Sequence, residues 1–257
     1  MGGWNVAKRG LVAVPWGYFQ VNKLKDKVSL ITGAGRGIGR GIALAMAKAG
    51  SSVVLVSRNQ SELENTAKII NESGGTALQI KTDISDEKQV NAMIEKALNK
   101  FGTIDILINN AGQFLEKPIL DTTVEDWEKV MGANLKGMFL CTKGVLKGMM
   151  ERKNGTIINF SSVGGRIGLR GKAVYSASKF GVVGFSKALS KELKPYNIKV
   201  HIIYPYMVDS NNTIDRSKED PLNINSVDDI ADLVVYLASL PLRVDIEDIV
   251  IDPYLKG

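Results

Sequence analysis

Val28-Ser-Leu-Ile-Thr32 runs straight into Gly33-Ala-Gly-Arg-Gly-Ile-Gly39, and an amphipathic stretch over 37–49 leads to a second apolar run at 52–57. Short, nearly continuous apolar runs are what parallel strands covered on both faces require. The glycines permit a tight turn and let backbone N–H groups approach a pyrophosphate, which then sits at the positive N-terminus of the following helix. Strand, glycine turn, helix and strand in this order predict one βαβ unit.

Outward from that unit the same alternation continues. Further strands are expected over 77–81, 104–109, 156–161, 199–204 and 248–251, with helices over 62–71, 86–100, 124–152 (two helices), 174–192 and 227–240. Ser61-x-x-Glu64, Thr123-x-x-Asp126 and Ser226-x-x-Asp229 read as capping boxes at three helix starts. The pattern predicts an α/β fold, a Rossmann-type doubly wound parallel β-sheet flanked by helices. No linker or repeat divides it, so residues 24–257 are expected to form a single domain, preceded by an N-terminal extension at 1–23.

Composition narrows the function classes. Apolar residues make up 44% and charged residues 23%, ordinary for a globular chain. Cys141 is the single cysteine, which rules out an intramolecular disulfide and fits a reducing, cytoplasmic setting. The single histidine, His201, lies in an apolar run and reads as structural. One histidine and one cysteine supply no metal cluster, and no metal is expected. The net charge of +6 is spread over predicted helix faces (Lys136, Lys143, Lys147, Lys187, Lys191), which predicts a solvated surface and no nucleic-acid partner. No apolar run is long enough to span a membrane, and the patch Leu11–Val14, broken by Pro15, is too short for a secretion signal.

Several further elements follow the glycine turn in order: Asp83-Ile84 after the third strand, Asn109-Asn-Ala-Gly112 closing the fourth, and Asn134 in Ala133-Asn-Leu-Lys-Gly137. Ser161-Ser162 ends the fifth strand, and Tyr175-Ser-Ala-Ser-Lys179 lies on a helix. Together with Thr32-Gly-x-x-x-Gly-x-Gly39 this set resembles the short-chain dehydrogenase/reductase family, from about residue 24 to 254. The resemblance implies an enzyme that moves a hydride between a nicotinamide cofactor and a carbonyl/secondary-alcohol pair. It implies cofactor contacts at Gly33, Gly35, Arg36, Gly37, Ile38 and Gly39, then at Ser57, Arg58, Asp83, Ile84, Asn110, Ala111 and Gly112. Tyr175, Lys179, Pro205, Val208 and Ser210 complete that set.

The end of the second strand selects the cofactor. An acidic residue there holds a ribose 2′-hydroxyl, whereas this chain has Ser57-Arg58 with Arg36 in the glycine turn. Guanidinium forks suit a 2′-phosphate, so NADP(H) is expected over NAD(H).

Tyr175 and Lys179 are one helical turn apart and share a face. An ammonium nearby, with the positive nicotinamide of an oxidised cofactor, favours the phenolate and predicts a lowered phenol pKa. By the resemblance Tyr175 is the acid/base, Ser162 holds the carbonyl oxygen, Lys179 also grips the nicotinamide ribose, and Asn134 positions a water. Ser161 is the rival for the serine role. The family is commonly dimeric or tetrameric. Met138, Leu140, Val145, Met149, Val182, Val183, Phe185 and Leu189 are apolar positions beyond one core stripe, consistent with a second buried face and a homotetramer or homodimer.

Two departures bear on the substrate, a small molecule. Where the family has Asn-Pro-Gly, this chain has Tyr204-Pro-Tyr206, and Tyr206 is expected to border the entrance. The polar loop at 211–225 favours a small or polar substrate. A 3-oxoacyl thioester or small ketone is the expected class. The tail, Leu240-Pro-Leu-Arg-Val-Asp-Ile-Glu-Asp248, resembles instead the branch acting on 3-hydroxy acids with NADP. A dinucleotide-binding regulator without turnover is the non-enzyme alternative.

Overall fold

The computed structural model describes residues 23–210 and 224–252. The expected extension at 1–23, apart from its last residue, and most of the loop at 211–225 lie outside the described residues.

Seven strands build one parallel sheet: β1 (Val28–Thr32), β2 (Ser52–Ser57), β3 (Ala77–Lys81), β4 (Ile106–Asn109), β5 (Gly155–Phe160), β6 (Ile198–Pro205) and β7 (Asp248–Ile251). Their order is β3-β2-β1-β4-β5-β6-β7. The direction of winding reverses between β1 and β4, and the crevice outside their carboxyl ends is where such sheets bind ligands.

Helices cover both faces. On one side α1 (Gly37–Lys48), α2 (Gln60–Glu72) and α7 (Val227–Ala238) pack Ile42, Met46, Leu63, Ile70 and Val234 against Ile31, Val53 and Leu55. On the other, α3 (Glu87–Phe101), α5 (Gly137–Arg152) and α6 (Ala173–Leu193) pack Met93, Val145 and Leu189 against Leu30, Val54 and Val56. Adjacent residues of one strand therefore enter different cores, which is why these strands read as unbroken apolar runs.

Three details differ from the sequence reading. Helix α2 is capped by Asn59, whose side chain accepts from the Ser61 and Glu62 N–H groups, and not by a Ser61 box. The boxes at Thr123 and Ser226 form as expected. The two helices of 124–152 are α4 (Val124–Met131) and α5, but no loop parts them; a π turn over Gly132–Lys136 joins them.

The third difference is the second apolar face. Met138, Leu140, Val145, Met149, Val182 and Leu189 are buried within this chain, because they are the sheet-facing and helix-facing sides of α5 and α6. Val183 and Phe185 are half-buried, and Phe139 and Phe180 on the same helices are 42% and 46% exposed. Among the described residues no helix is long and apolar enough to cross a membrane.

Candidate active site

The nucleotide end is made of backbone and of missing side chains. Gly33 has φ of +71°, and a Cβ there would lie 2.8 Å from Asn110 Nδ2. A Cβ on Gly39 would run into the Gly33 carbonyl oxygen. The turn is tied to the end of β4: Thr32 Oγ1 accepts from the Asn110 and Ala111 N–H groups, both at 3.0 Å. Asn110 Nδ2 in turn donates to Thr32 O at 2.9 Å.

Around this junction opens a cleft of about 950 Å³. It is lined by the whole glycine turn from Gly33 to Gly39 except the buried Ala34, by Ser57 and Arg58, by Asp83 and Ile84, by Asn110, Ala111 and Gly112, and by Ser210. Asp83 is braced by Ser85, whose N–H and hydroxyl donate to Oδ1 at 3.0 and 2.7 Å. Of the expected contacts, Tyr175, Lys179, Pro205 and Val208 are not among the lining residues. Pro205 closes β6, and Val208 packs on the core and bridges to Asn225. A positive-φ glycine turn, backbone room at a helix N-terminus and two exposed guanidiniums fit a phosphorylated dinucleotide.

At the other end four side chains meet from three segments. Tyr175 and Lys179 project from α6, Ser162 follows β5, and Asn134 comes from the π turn. Lys179 is buried; its Nζ donates to Phe160 O at 2.9 Å and lies 5.8 Å from the Tyr175 ring centroid. Burial disfavours its ammonium and brings its pKa down to about 8. The same ammonium sits beside Gly112, 3.6 Å from where a Cβ would be, so the catalytic corner adjoins the cleft.

The expected lowering of the Tyr175 pKa is not found. Burial raises it, with the neighbouring Ser162 hydroxyl pulling the other way. The cause is the cost of burying a phenolate, and the Lys179 ammonium, engaged by Phe160 O, does not offset it.

The two serines separate clearly. Ser161 Oγ donates to Lys179 O at 3.1 Å and is buried. Ser162 is the one beside the phenol, its Oγ accepting from Gly164 N–H at 3.2 Å.

Asn134 is a clamp. Its Oδ1 accepts from Gln113 N–H at 2.6 Å, while Nδ2 donates to Gln113 O and to Ser178 Oγ at 3.0 and 2.9 Å. Ser178 Oγ donates on to Tyr175 O at 2.7 Å. The amide that was expected to position a water thus joins the segment after β4 to helix α6.

Sequence reasoning missed Gln113 and Ser178, although both sit inside or next to quoted motifs. It also missed Phe114, whose ring meets Tyr175 edge-on at 5.1 Å and is 55% exposed. Nothing in the spacing marks Phe114.

The departures resolve differently from each other. Tyr204 is buried and spends its hydroxyl on Asp248 Oδ1 at 2.7 Å, while Lys187 pairs with the other oxygen at 2.9 Å. Tyr206 N–H donates to Ile251 O at 3.0 Å and its side chain is 46% exposed. His201 is fully buried, its Nδ1 2.6 Å from Ile246 O, and burial lowers its pKa. It takes no part in either end of the site.

A family profile of short chain dehydrogenases matches residues 27–221. This chain belongs to the short-chain dehydrogenase/reductase family. As a member it is an oxidoreductase, which removes the reading as a regulator without turnover. It is 35% identical over 235 residues to an uncharacterised oxidoreductase of Staphylococcus aureus (strain MW2), covering 90% of this chain and 98% of that one. Identity is 36% over 225 residues to a 3-oxoacyl-[acyl-carrier-protein] reductase of Synechocystis, covering 85% and 91% respectively. The crystal structure of a metagenomic short-chain oxidoreductase in complex with NADP superposes with a TM-score of 0.81 at 30% identity, over 91% of this chain and all of that one.

Proposed function

We propose that this short-chain dehydrogenase/reductase is a cytoplasmic, single-domain enzyme that uses NADPH to reduce a carbonyl to a secondary alcohol. One observation carries the reading. The Ser162 hydroxyl pairs with the Tyr175 phenol, the buried Lys179 ammonium lies 5.8 Å from that ring and beside Gly112, and Ser161 is turned away onto Lys179 O.

When bound, the cofactor supplies the hydride. Arg36 and Arg58 hold the 2′-phosphate, and the glycine turn takes the pyrophosphate. Ser162 donates a hydrogen bond to the carbonyl oxygen and fixes its place. Tyr175 gives that oxygen its proton as negative charge develops there. A phenol whose pKa is raised by burial stays protonated at neutral pH, which suits a proton donor in the reductive direction. Lys179, held by Phe160 O beside Gly112, would grip the nicotinamide ribose, and burial brings its pKa down to about 8. Asn134 holds the Gln113 segment and α6 in register, so the corner is assembled before substrate arrives.

The substrate class is a 3-oxoacyl thioester or a small ketone, supported by the identity to the Synechocystis reductase. The test is a panel followed by NADPH absorbance. Acetoacetyl thioester or a small diketone should turn over best. Turnover only of 3-hydroxy acids with NADP⁺ would overturn the substrate class and leave the cofactor reading intact.

A second copy of the chain is the partner we assign, as a homodimer or homotetramer. Met131, Leu135, Phe139, Gly181 and Phe185 line an apolar groove of about 460 Å³ on α4, α5 and α6. Sedimentation as a monomer at micromolar concentration would contradict this.

A further inference from the structure

Glu62 stands in the first turn of α2. An acid there is favoured by the helix dipole, and that alone would account for it. Its carboxylate, however, folds back over the glycine turn. Measured from the point where a Cβ on Gly35 would lie, Glu62 Oε2 is 2.8 Å away, Glu62 Cβ 2.9 Å and Ser57 Oγ 3.2 Å. The carboxylate, the Ser57 hydroxyl and the Gly35 backbone thus enclose one spot. All three line the cleft together with Arg36 and Arg58. Among the described residues the ion pairs within 4.0 Å join other groups, so neither arginine neutralises Glu62.

We propose that Glu62 is a specificity-determining residue opposing the two arginines: its carboxylate accepts a ribose 2′-hydroxyl and repels a 2′-phosphate. The inference rests on the reading of Arg36 and Arg58 as phosphate ligands. Ser57 is too short and uncharged to act as the acid that commonly ends the second strand, and Glu62 brings a carboxylate to the same place from the next helix. Arginines and carboxylate pull the preference in opposite directions. The chain accordingly favours NADPH by a modest margin and keeps a usable affinity for NADH.

Calorimetric titration with 2′,5′-ADP and with 5′-AMP separates the terms without turnover. The measured quantity is the ratio of the two affinities in wild type, Glu62→Gln and Arg58→Ala. Removing one unit charge a few ångströms from a partly solvated phosphate predicts a ratio about three- to thirtyfold higher in Glu62→Gln. A ratio unchanged or lowered in that variant overturns the proposal. Arg58→Ala should lower the ratio about tenfold or more; if it does not, the phosphate reading of the arginine fails independently of Glu62. A purely helical role for Glu62 would lower the melting temperature of Glu62→Gln and leave the ratio where it was.

Discussion

The two ends of the site are built on opposite plans. The nucleotide end is contiguous in sequence and made of backbone: one turn, Thr32 to Gly39, with the start of the segment after β4 as its buttress. Its room for phosphate lies in side chains that are absent, while the proposed choice of cofactor rests on Arg36, Arg58 and Glu62 around it. The carbonyl end gathers Asn134, Ser162 and the α6 pair Tyr175 and Lys179 from three separate segments, and each works through a buried or half-buried polar atom. The contrast teaches that damage should take different forms. Adding an atom ought to break the first region, and removing one ought to break the second.

Tyr175→Phe is the sharpest way to test this, because it deletes one oxygen. Turnover should fall by roughly 10²–10⁴, the usual worth of a positioned proton donor, with cofactor affinity nearly unchanged. Ser162→Ala should follow the same pattern to a lesser degree. Ser161→Ala should keep most activity and lose about 0.5–1.5 kcal/mol of stability, because it removes only the bond to Lys179 O. If Ser161→Ala is the more inactive of the two, the serine assignment is wrong.

At the nucleotide end, Gly39→Ala adds one carbon against the Gly33 carbonyl oxygen. The expected result is a loss of ~1–3 kcal/mol in stability together with weakened nucleotide binding. Turnover at saturating cofactor should be largely retained. A variant that binds normally but turns over slowly would erase the distinction between the two ends.

The smallest effect concerns a group that serves neither end. His201 has its pKa lowered below the ordinary 6.5 by burial. Between 6.5 and that lower folded value, the unfolded chain binds the proton that the folded chain refuses. Stability therefore falls as pH drops through that window, and is indifferent to His201 above it. His201→Asn keeps a donor for Ile246 O and removes the titration. Urea midpoints at about pH 7.5 and about pH 5 should differ less in this variant than in wild type. An equal or larger difference would place the acid sensitivity elsewhere.

How much could be read in advance follows the same division. The strands were legible because both faces of the sheet are covered, so Val53-Val-Leu-Val56 carries no polar interruption. The glycine turn was legible because its chemistry is local. The start of α2 was misplaced since Asn59 and Ser61 are both good caps, and the choice is made by where the chain leaves β2. The inward turn of Glu62 over Gly35 and the capture of the Gln113 backbone by Asn134 are tertiary events, and no spacing announces them. Likewise Leu140 and Val145 look like spare apolar surface until the sheet beneath them is known. Tyr204 was read as a disturbance to the site, but its hydroxyl belongs to Asp248 at the sheet edge.

The π turn that delivers Asn134 has a consequence for anyone hardening this protein. Its closing bond runs from Gly137 N–H to Gly132 O, one residue wider than the regular helix on either side. Deleting a single residue between 132 and 136 would remove the wider turn and let α4 and α5 merge into one uninterrupted rod. It would rotate the amide by about a quarter-turn of helix or more, unhook the Gln113 segment from α6, and turn the buried side of α4 or α5 (Val130, or Leu140 and Val145) away from the core. The irregularity is thus what keeps two buried helix faces and one amide in phase at once, and regularising the helix would set them against each other.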